Sequence, residues 1–469
     1  MKTMFAALIL LLAAPAAAQP APSVEPYPFR LASGETLAAE RGRFTVPEDR
    51  GDPGSRRIEI GFVRLRSTSA NPGAPIVYLA GGPGGSATGT AQGPRQPVFL
   101  ALRAVADVIL LDQRGTGLSN HIPPCTASRR LDPALGLNEA ALTRYHRETL
   151  AECLGRWRAA GVAVNGYTTE QSADDIEDLR RALGARRVDL MGISYGVHLG
   201  LAAMRRHPGS IGRIAFASAE GMNQTVKLPA HVDAAFARID AATGGALVPL
   251  MRRVHARMDA EPVTFTAGPE NGRISIRADG FAPRMMAGLF AKNPDGYRQL
   301  FGAYAAIDAG QAQAIAQPLY DFFYREPLTL NGMTQLMDAA SGITAARLAL
   351  VRRQAPASLL GMAVNFPMPQ VGGVVPGIDL GDRFRREIRA SHEVLLFAGD
   401  LDVRTPLEEQ AEATAGLARL RRIVVRGGGH DLFEAHPDVP AILIDFFSGR
   451  PVARTELVLP APARLAPPR

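Results

Sequence analysis

Gly192-Ile193-Ser194-Tyr195-Gly196 is the feature that most constrains this chain. Before it runs an apolar stretch, Val188 to Ile193, that reads as a buried strand. After it runs an amphipathic stretch, Tyr195 to Arg206, that reads as a helix stopped at His207-Pro208. A serine on such a strand-to-helix turn needs glycine two residues to either side, because the turn is too tight for side chains there. The turn lifts the hydroxyl clear of the sheet and sets the next backbone N–H, that of Tyr195, beside it. The five-residue pattern alone is weak in a glycine-rich chain, so the reading depends on a base, an acid and a second N–H donor in matching places.

Short apolar runs recur, and several end in turn residues. Ile76 to Leu79 runs into Gly81-Gly82-Pro83-Gly84-Gly85, and Val108 to Leu111 into Asp112-Gln113-Arg114-Gly115. Residues 213–217 form another run. Val394 to Phe397 leads to Gly399-Asp400-Leu401-Asp402, and Ile423 to Val425 to Gly427-Gly428-Gly429-His430. These strands alternate with helical stretches such as Ser172 to Leu183 and Val439 to Phe447. That order predicts an α/β fold, a mostly parallel sheet flanked by helices. Phe44-Thr45-Val46 and Ile58 to Leu65 predict an antiparallel opening pair. From Met222 strand signals fade, and apolar residues recur at helical spacing, as at Met285, Met286, Leu289 and Phe290. The expected organisation is an extended arm over 19–41, core over 42–221, a mostly helical cap over 222–388, core again over 389–449, and a loose tail over 450–469.

A serine nucleophile needs a general base, and the base an orienting carboxylate. His430 follows a strand in a glycine-rich loop. Asp402 lies upstream at another strand end and is preferred to Asp400, which suits a turn residue bonding local backbone. The order Ser194, Asp402, His430 is that of α/β-hydrolases. His198, four residues past Ser194 on the same helix, points away from the hydroxyl and reads as packing. For the second oxyanion donor, Pro83 has no N–H, which leaves Gly82 beside Tyr195. The Gly81–Gly85 loop lacks the Lys-Ser/Thr ending of a phosphate cradle.

The start of the chain reads as export. Met1-Lys2, an apolar run from Met4 to Ala14 and an Ala16-Ala17-Ala18 end make a signal peptide over 1–18. The apolar run is shorter than the roughly 20 residues that span a bilayer. The expected location is the periplasm or beyond, with no stable membrane insertion after cleavage. In that setting Cys125 and Cys153 read as a disulfide, the alternative being two buried thiols. No cluster of Cys and His accompanies them, which argues against a metal site. Net charge is +7, but the basic residues are scattered arginines, with lysine only at positions 2, 227 and 292. That distribution argues against nucleic-acid binding.

Gly81-Gly82-Pro83-Gly84-Gly85, Asp112-Gln113-Arg114-Gly115-Thr116-Gly117-Leu118-Ser119 and Gly192-Ile193-Ser194-Tyr195-Gly196 together resemble the proline iminopeptidase and tripeptidyl aminopeptidase family of serine peptidases. Tyr167-Thr168-Thr169 and Asp402-Val403-Arg404-Thr405-Pro406 add to the resemblance, which covers residues 42–221 and 393–447. It implies a helical cap, no metal or cofactor, and removal of N-terminal residues or short peptides, often beside proline. The chain departs from the family at Ala80, where histidine is usual, and in the cap. An aminopeptidase also needs a carboxylate for the substrate's ammonium. Glu220, Glu326 and Asp321 are candidates. The alternative readings are a carboxylic-ester hydrolase on the same triad, or a binding protein that has kept only the fold. The partner in the first two is a peptide or small acyl substrate.

Overall fold

The computed structural model describes residues 22–465; the expected signal peptide lies outside them. Its strands are β1 (Ser23–Arg30), β2 (Thr36–Pro47), β3 (Arg57–Leu65), β4 (Ile76–Leu79), β5 (Val108–Leu111), β6 (Cys125–Thr126), β7 (Val188–Ser194), β8 (Ile211–Ala219), β9 (Val263–Ala267), β10 (Ile274–Ala278), β11 (Thr329–Leu330), β12 (Ala390–Gly399), β13 (Leu417–Arg426) and β14 (Glu456–Val458). Ten of them form one sheet in the order β1-β2-β3-β5-β4-β7-β8-β12-β13-β14. From β5 through β14 neighbouring strands run parallel, while β1 to β3 and the β3–β5 junction are antiparallel.

The central strands are buried on both faces, which is why their sequences are continuous apolar runs rather than alternating ones. Val77, Leu79, Leu190, Phe216 and Leu396 point to one face, in one cluster with Ile176, Leu179 and Leu199. Ile76, Tyr78, Met191, Leu395 and Phe397 point to the other, in one cluster with Phe99, Leu102, Val439 and Leu443. Each full burial of a large apolar side chain contributes about 1.5–3 kcal/mol.

Two expectations are corrected at the ends. Within the arm expected over 19–41, the described residues are largely two paired strands: Ser23 to Arg30 pair with Arg43 to Thr36. Pro26 and Pro28 hid this strand from a sequence reading, yet proline is tolerated on an edge strand, where its missing N–H faces outward. Phe29 anchors it, fully buried. The loose tail over 450–469 likewise contains β14, which pairs with β13 and buries Leu457.

Residues 220–389 are inserted between the adjacent strands β8 and β12. The insertion is mainly helical but also contains the β9–β10 hairpin, which helical spacing alone did not signal. It has its own apolar cluster, including Phe236, Met251, Phe265, Ile276 and Tyr304, and that cluster continues to Leu401 and Val403 on either side of Asp402. A second tie is the β6–β11 pair, Cys125 opposite Leu330. Cys125 and Cys153 form a disulfide, with Cα atoms 5.6 Å apart. Closing that loop contributes about 3–4 kcal/mol in the chain-entropy picture. Among the described residues, no helix is long and apolar enough to cross a membrane.

Candidate active site

Ser194 ends β7 and begins the helix Tyr195–Arg206 with φ 56° and ψ −124°, a conformation rarely tolerated outside glycine. The flanking glycines are required by contact. A Cβ on Gly192 would stand 2.7 Å from the Gly196 carbonyl oxygen, and one on Gly196 would stand 2.1 Å from the Leu79 carbonyl oxygen. The turn is therefore folded against itself and against the end of β4.

Asp402 and His430 meet at the same edge of the sheet. The ring Nδ1 of His430 is 2.9 Å from Asp402 Oδ2. Asp402 is fully buried and also accepts from the Arg404 N–H (2.8 Å), the Thr405 N–H (3.0 Å) and the Thr405 hydroxyl (2.7 Å). Burial alone would raise its pKa. The adjacent His430 and the Thr405 donors outweigh burial and hold the carboxyl below its usual range. An ionised Asp402 fixes the tautomer of His430, leaving Nε2 free to take a proton. Asp400, expected to bond local backbone, instead accepts the N–H of Gly427 at 2.8 Å, from the loop that leads to His430, because the parallel strands β12 and β13 bring the two turns side by side. His198 is buried, bonded through Nδ1 to the Gly221 carbonyl (2.9 Å) and through Nε2 to Ser341 (3.0 Å).

Ser194 lies opposite Ala219 across the β7–β8 pair. The neighbouring Ser218 donates to the His430 carbonyl at 2.6 Å, which brings the histidine loop to that strand end. No hydrogen bond joins Ser194 to His430. Such contacts are often long in a site without substrate and tighten when one binds.

The Gly81–Gly85 loop covers the serine. A Cβ on Gly81 would stand 3.1 Å from the Ser194 Cβ. Neither the Gly82 N–H nor the Tyr195 N–H has a hydrogen-bond acceptor among the described residues. The Tyr195 side chain is held away from the serine, its hydroxyl 2.9 Å from Thr169 Oγ1 and 3.0 Å from Met337 Sδ.

The three carboxylates considered for an ammonium separate clearly. Glu326 and Asp321 are exposed. Glu220 is 5% exposed; one oxygen accepts from Lys227 Nζ at 2.8 Å and the other is buried without a partner. Asn365 clamps Lys227, accepting its N–H at 2.7 Å and donating to its carbonyl at 2.8 Å. Asp338 went unread in the sequence. Burial first, and then the charge of Glu220, push it up to about 7. No local motif marks Asp338; only the fold brings it to Glu220.

His231, Glu409 and Glu412 also cluster. Arg347 fills that cluster, donating to both Glu409 and Glu412, and the hydrogen bond that His231 makes with Glu409 raises the pKa of that histidine.

A family model described as the alpha/beta hydrolase fold matches residues 74–437. The chain belongs to that family. Among relatives of this hydrolase, the tripeptidyl aminopeptidase of Streptomyces coelicolor is 29% identical over 177 residues, 34% of this chain and 31% of that protein. Serine protease Hip1 of Mycobacterium tuberculosis is 26% identical over 175 residues, 36% of this chain and 33% of that protein. The chain thus spans less than two thirds of the length of these curated relatives. Among solved structures, a proline iminopeptidase from Mycobacterium smegmatis aligns over 87% of this chain and 98% of its own, at 17% identity and a TM-score of 0.41.

Proposed function

We propose that this chain is a serine hydrolase with Ser194 as nucleophile, His430 as general base and acid, and Asp402 as the carboxylate orienting it. Ser194 Oγ attacks the substrate carbonyl and gives its proton to His430 Nε2. The N–H groups of Gly82 and Tyr195 receive the oxyanion. Collapse breaks the bond to the leaving group, which takes the proton from His430. Water then repeats the sequence on the acyl-serine and releases the acid. The observation that carries this reading is the 2.9 Å bond between His430 and a buried Asp402, at the sheet edge where Ser194 adopts its positive φ.

Within that class, the reading is an aminopeptidase that removes N-terminal residues or short peptides. It is supported by Glu220, a buried carboxylate with one unpartnered oxygen, and by Asp338 close enough to feel its charge. The likeness to peptidases points the same way. The insertion would serve as a cap over the site, and the disulfide suits an exported enzyme. One observation favours ester hydrolysis instead. Lys227 already pairs with Glu220, and a site for a neutral substrate needs no further cation.

The test compares aminoacyl- and tripeptidyl-arylamides, with free and blocked amines, with short acyl esters, using a Ser194→Ala control. Cleavage that needs a free amine and Ser194 supports the aminopeptidase. Ester cleavage alone moves the assignment to esterase. Turnover that survives in Ser194→Ala overturns the triad.

A further inference from the structure

We propose that Thr334 is a positioning residue for the oxyanion loop, so that the inserted segment sets the donor geometry of the site it covers. The proposal rests on the reading of Gly82 as an oxyanion donor. Thr334 lies in the first turn of the helix Met333–Ser341, within the insertion and remote in sequence from residues 81–85. Its hydroxyl donates to the Pro83 carbonyl at 2.9 Å, the only hydrogen bond which that carbonyl accepts among the described residues. Contact is close enough that a Cβ on Gly84 would stand 2.3 Å from Thr334 Oγ1.

A loop this rich in glycine does not fix its own conformation, because glycine backbones have the widest choice of dihedral angles. Gly82 and Gly84 both take positive φ, 126° and 98°. One internal bond closes the loop, from the Gly85 N–H to the Gly81 carbonyl at 3.1 Å. The Gly81 carbonyl shares its peptide plane with the Gly82 N–H, so this bond helps orient that donor, and two side chains bracket the loop from outside. Gln113 donates to the Ala80 carbonyl at 3.0 Å on one side, and Thr334 donates to the Pro83 carbonyl on the other. Gln113 comes from the core; Thr334 comes from the insertion.

The rest of the helix repeats the pattern. Met337 Sδ accepts from the Tyr195 hydroxyl, and Ser341 meets His198 on the nucleophile helix. Residues 334, 337 and 341 share one face at helical spacing. The helix thus lies along both oxyanion donors, touching the loop of one and the side chain of the other.

The test uses Thr334→Val, which keeps the shape and removes the donor, and Thr334→Ser, which keeps the donor. Two readouts avoid any need for the natural substrate: the rate of Ser194 phosphonylation by a fluorophosphonate, and kcat and KM for 4-nitrophenyl acetate. The valine variant should slow phosphonylation and kcat by about 10- to 100-fold, less than the roughly 100- to 1000-fold that follows outright loss of a donor, with KM changed less than about twofold. The serine variant should recover most of both rates. Equal rates in Thr334→Val and wild type overturn the proposal, as does a serine variant as slow as the valine one. If the wild-type protein is not phosphonylated at Ser194, the nucleophile reading itself fails and this one falls with it.

Discussion

Lys227 Nζ donates to one carboxylate oxygen of Glu220 at 2.8 Å and leaves the other buried without a partner. A buried acceptor left empty costs about 1–3 kcal/mol, and a substrate ammonium would relieve that cost. Glu220→Gln should therefore raise KM for a free-amine arylamide about tenfold or more, as expected for losing a charged hydrogen bond of about 1.5–3 kcal/mol. It should leave the blocked-amine analogue and esters nearly unchanged. Steady-state kinetics on the matched pair decide it. An equal effect on both substrates would remove Glu220 from amine recognition.

The proposed amine recognition should depend on pH through Asp338. Burial and the charge of Glu220 push it up to about 7, so it becomes an anion only as pH rises past neutrality. The substrate's α-ammonium is lost above about 8. The ratio of kcat/KM for a free-amine substrate to that for an ester should peak between these limits, because ionisation of the triad cancels in the ratio. Asp338→Asn should abolish the acidic limb and keep the alkaline one. A ratio that lacks the acidic limb, or keeps it in Asp338→Asn, would disconnect Asp338 from the substrate.

Asp402 has all its acceptor capacity directed at His430, Arg404 and Thr405. Asp402→Asn keeps the volume and reverses the polarity toward His430 Nδ1, stabilising the wrong tautomer. A fall in kcat of about 10⁴-fold with a small change in KM is expected, as for the same exchange in other serine hydrolases. Stopped-flow measurement of acylation with an activated ester checks it. A loss below about tenfold would hand the role to another carboxylate.

The site's backbone was legible in the sequence for a physical reason. Gly192, Gly196 and Gly82 stand where a Cβ would strike backbone, and close approach leaves a glycine signature. Asp402 and His430 stand out as candidates because each lies in the turn shortly after an apolar strand, one strand ending at Gly399 and the other at Arg426. Asp338 and Thr334 carry no such mark. Each is an ordinary polar residue on a helix of the insertion, and its environment is created by distant segments: Glu220 for one, Pro83 for the other. The missed strands follow the same logic. Proline in β1 argues against a strand until the sheet edge is known, and β14 is a strand only because β13 is there to receive it.

His255 predicts how the fold responds to acid. It is 3% exposed, with Nε2 2.7 Å from the Tyr304 hydroxyl, which itself donates to the Pro283 carbonyl at 3.0 Å. The hydroxyl proton is thus committed, and Nε2 carries its own hydrogen toward Tyr304. Burial lowers the His255 pKa to about 3. Between that value and the unfolded value near 6.5, the unfolded chain binds a proton that the folded chain refuses. The stability from keeping His255 neutral is complete above pH 6.5 and drains away as pH falls toward 3. The slope is about 1.4 kcal/mol per pH unit. His146 and His198 are shifted the same way by burial, so the wild-type slope contains several such contributions. His255→Phe should remove one of them. Urea unfolding measured between pH 5 and 6 should show a slope shallower by about 1.4 kcal/mol per pH unit in the variant, carboxylates such as Asp338 contributing alike to both proteins. Identical slopes would mean that His255 takes up its proton in the folded protein, and the buried pair with Tyr304 would have to open to water to allow it.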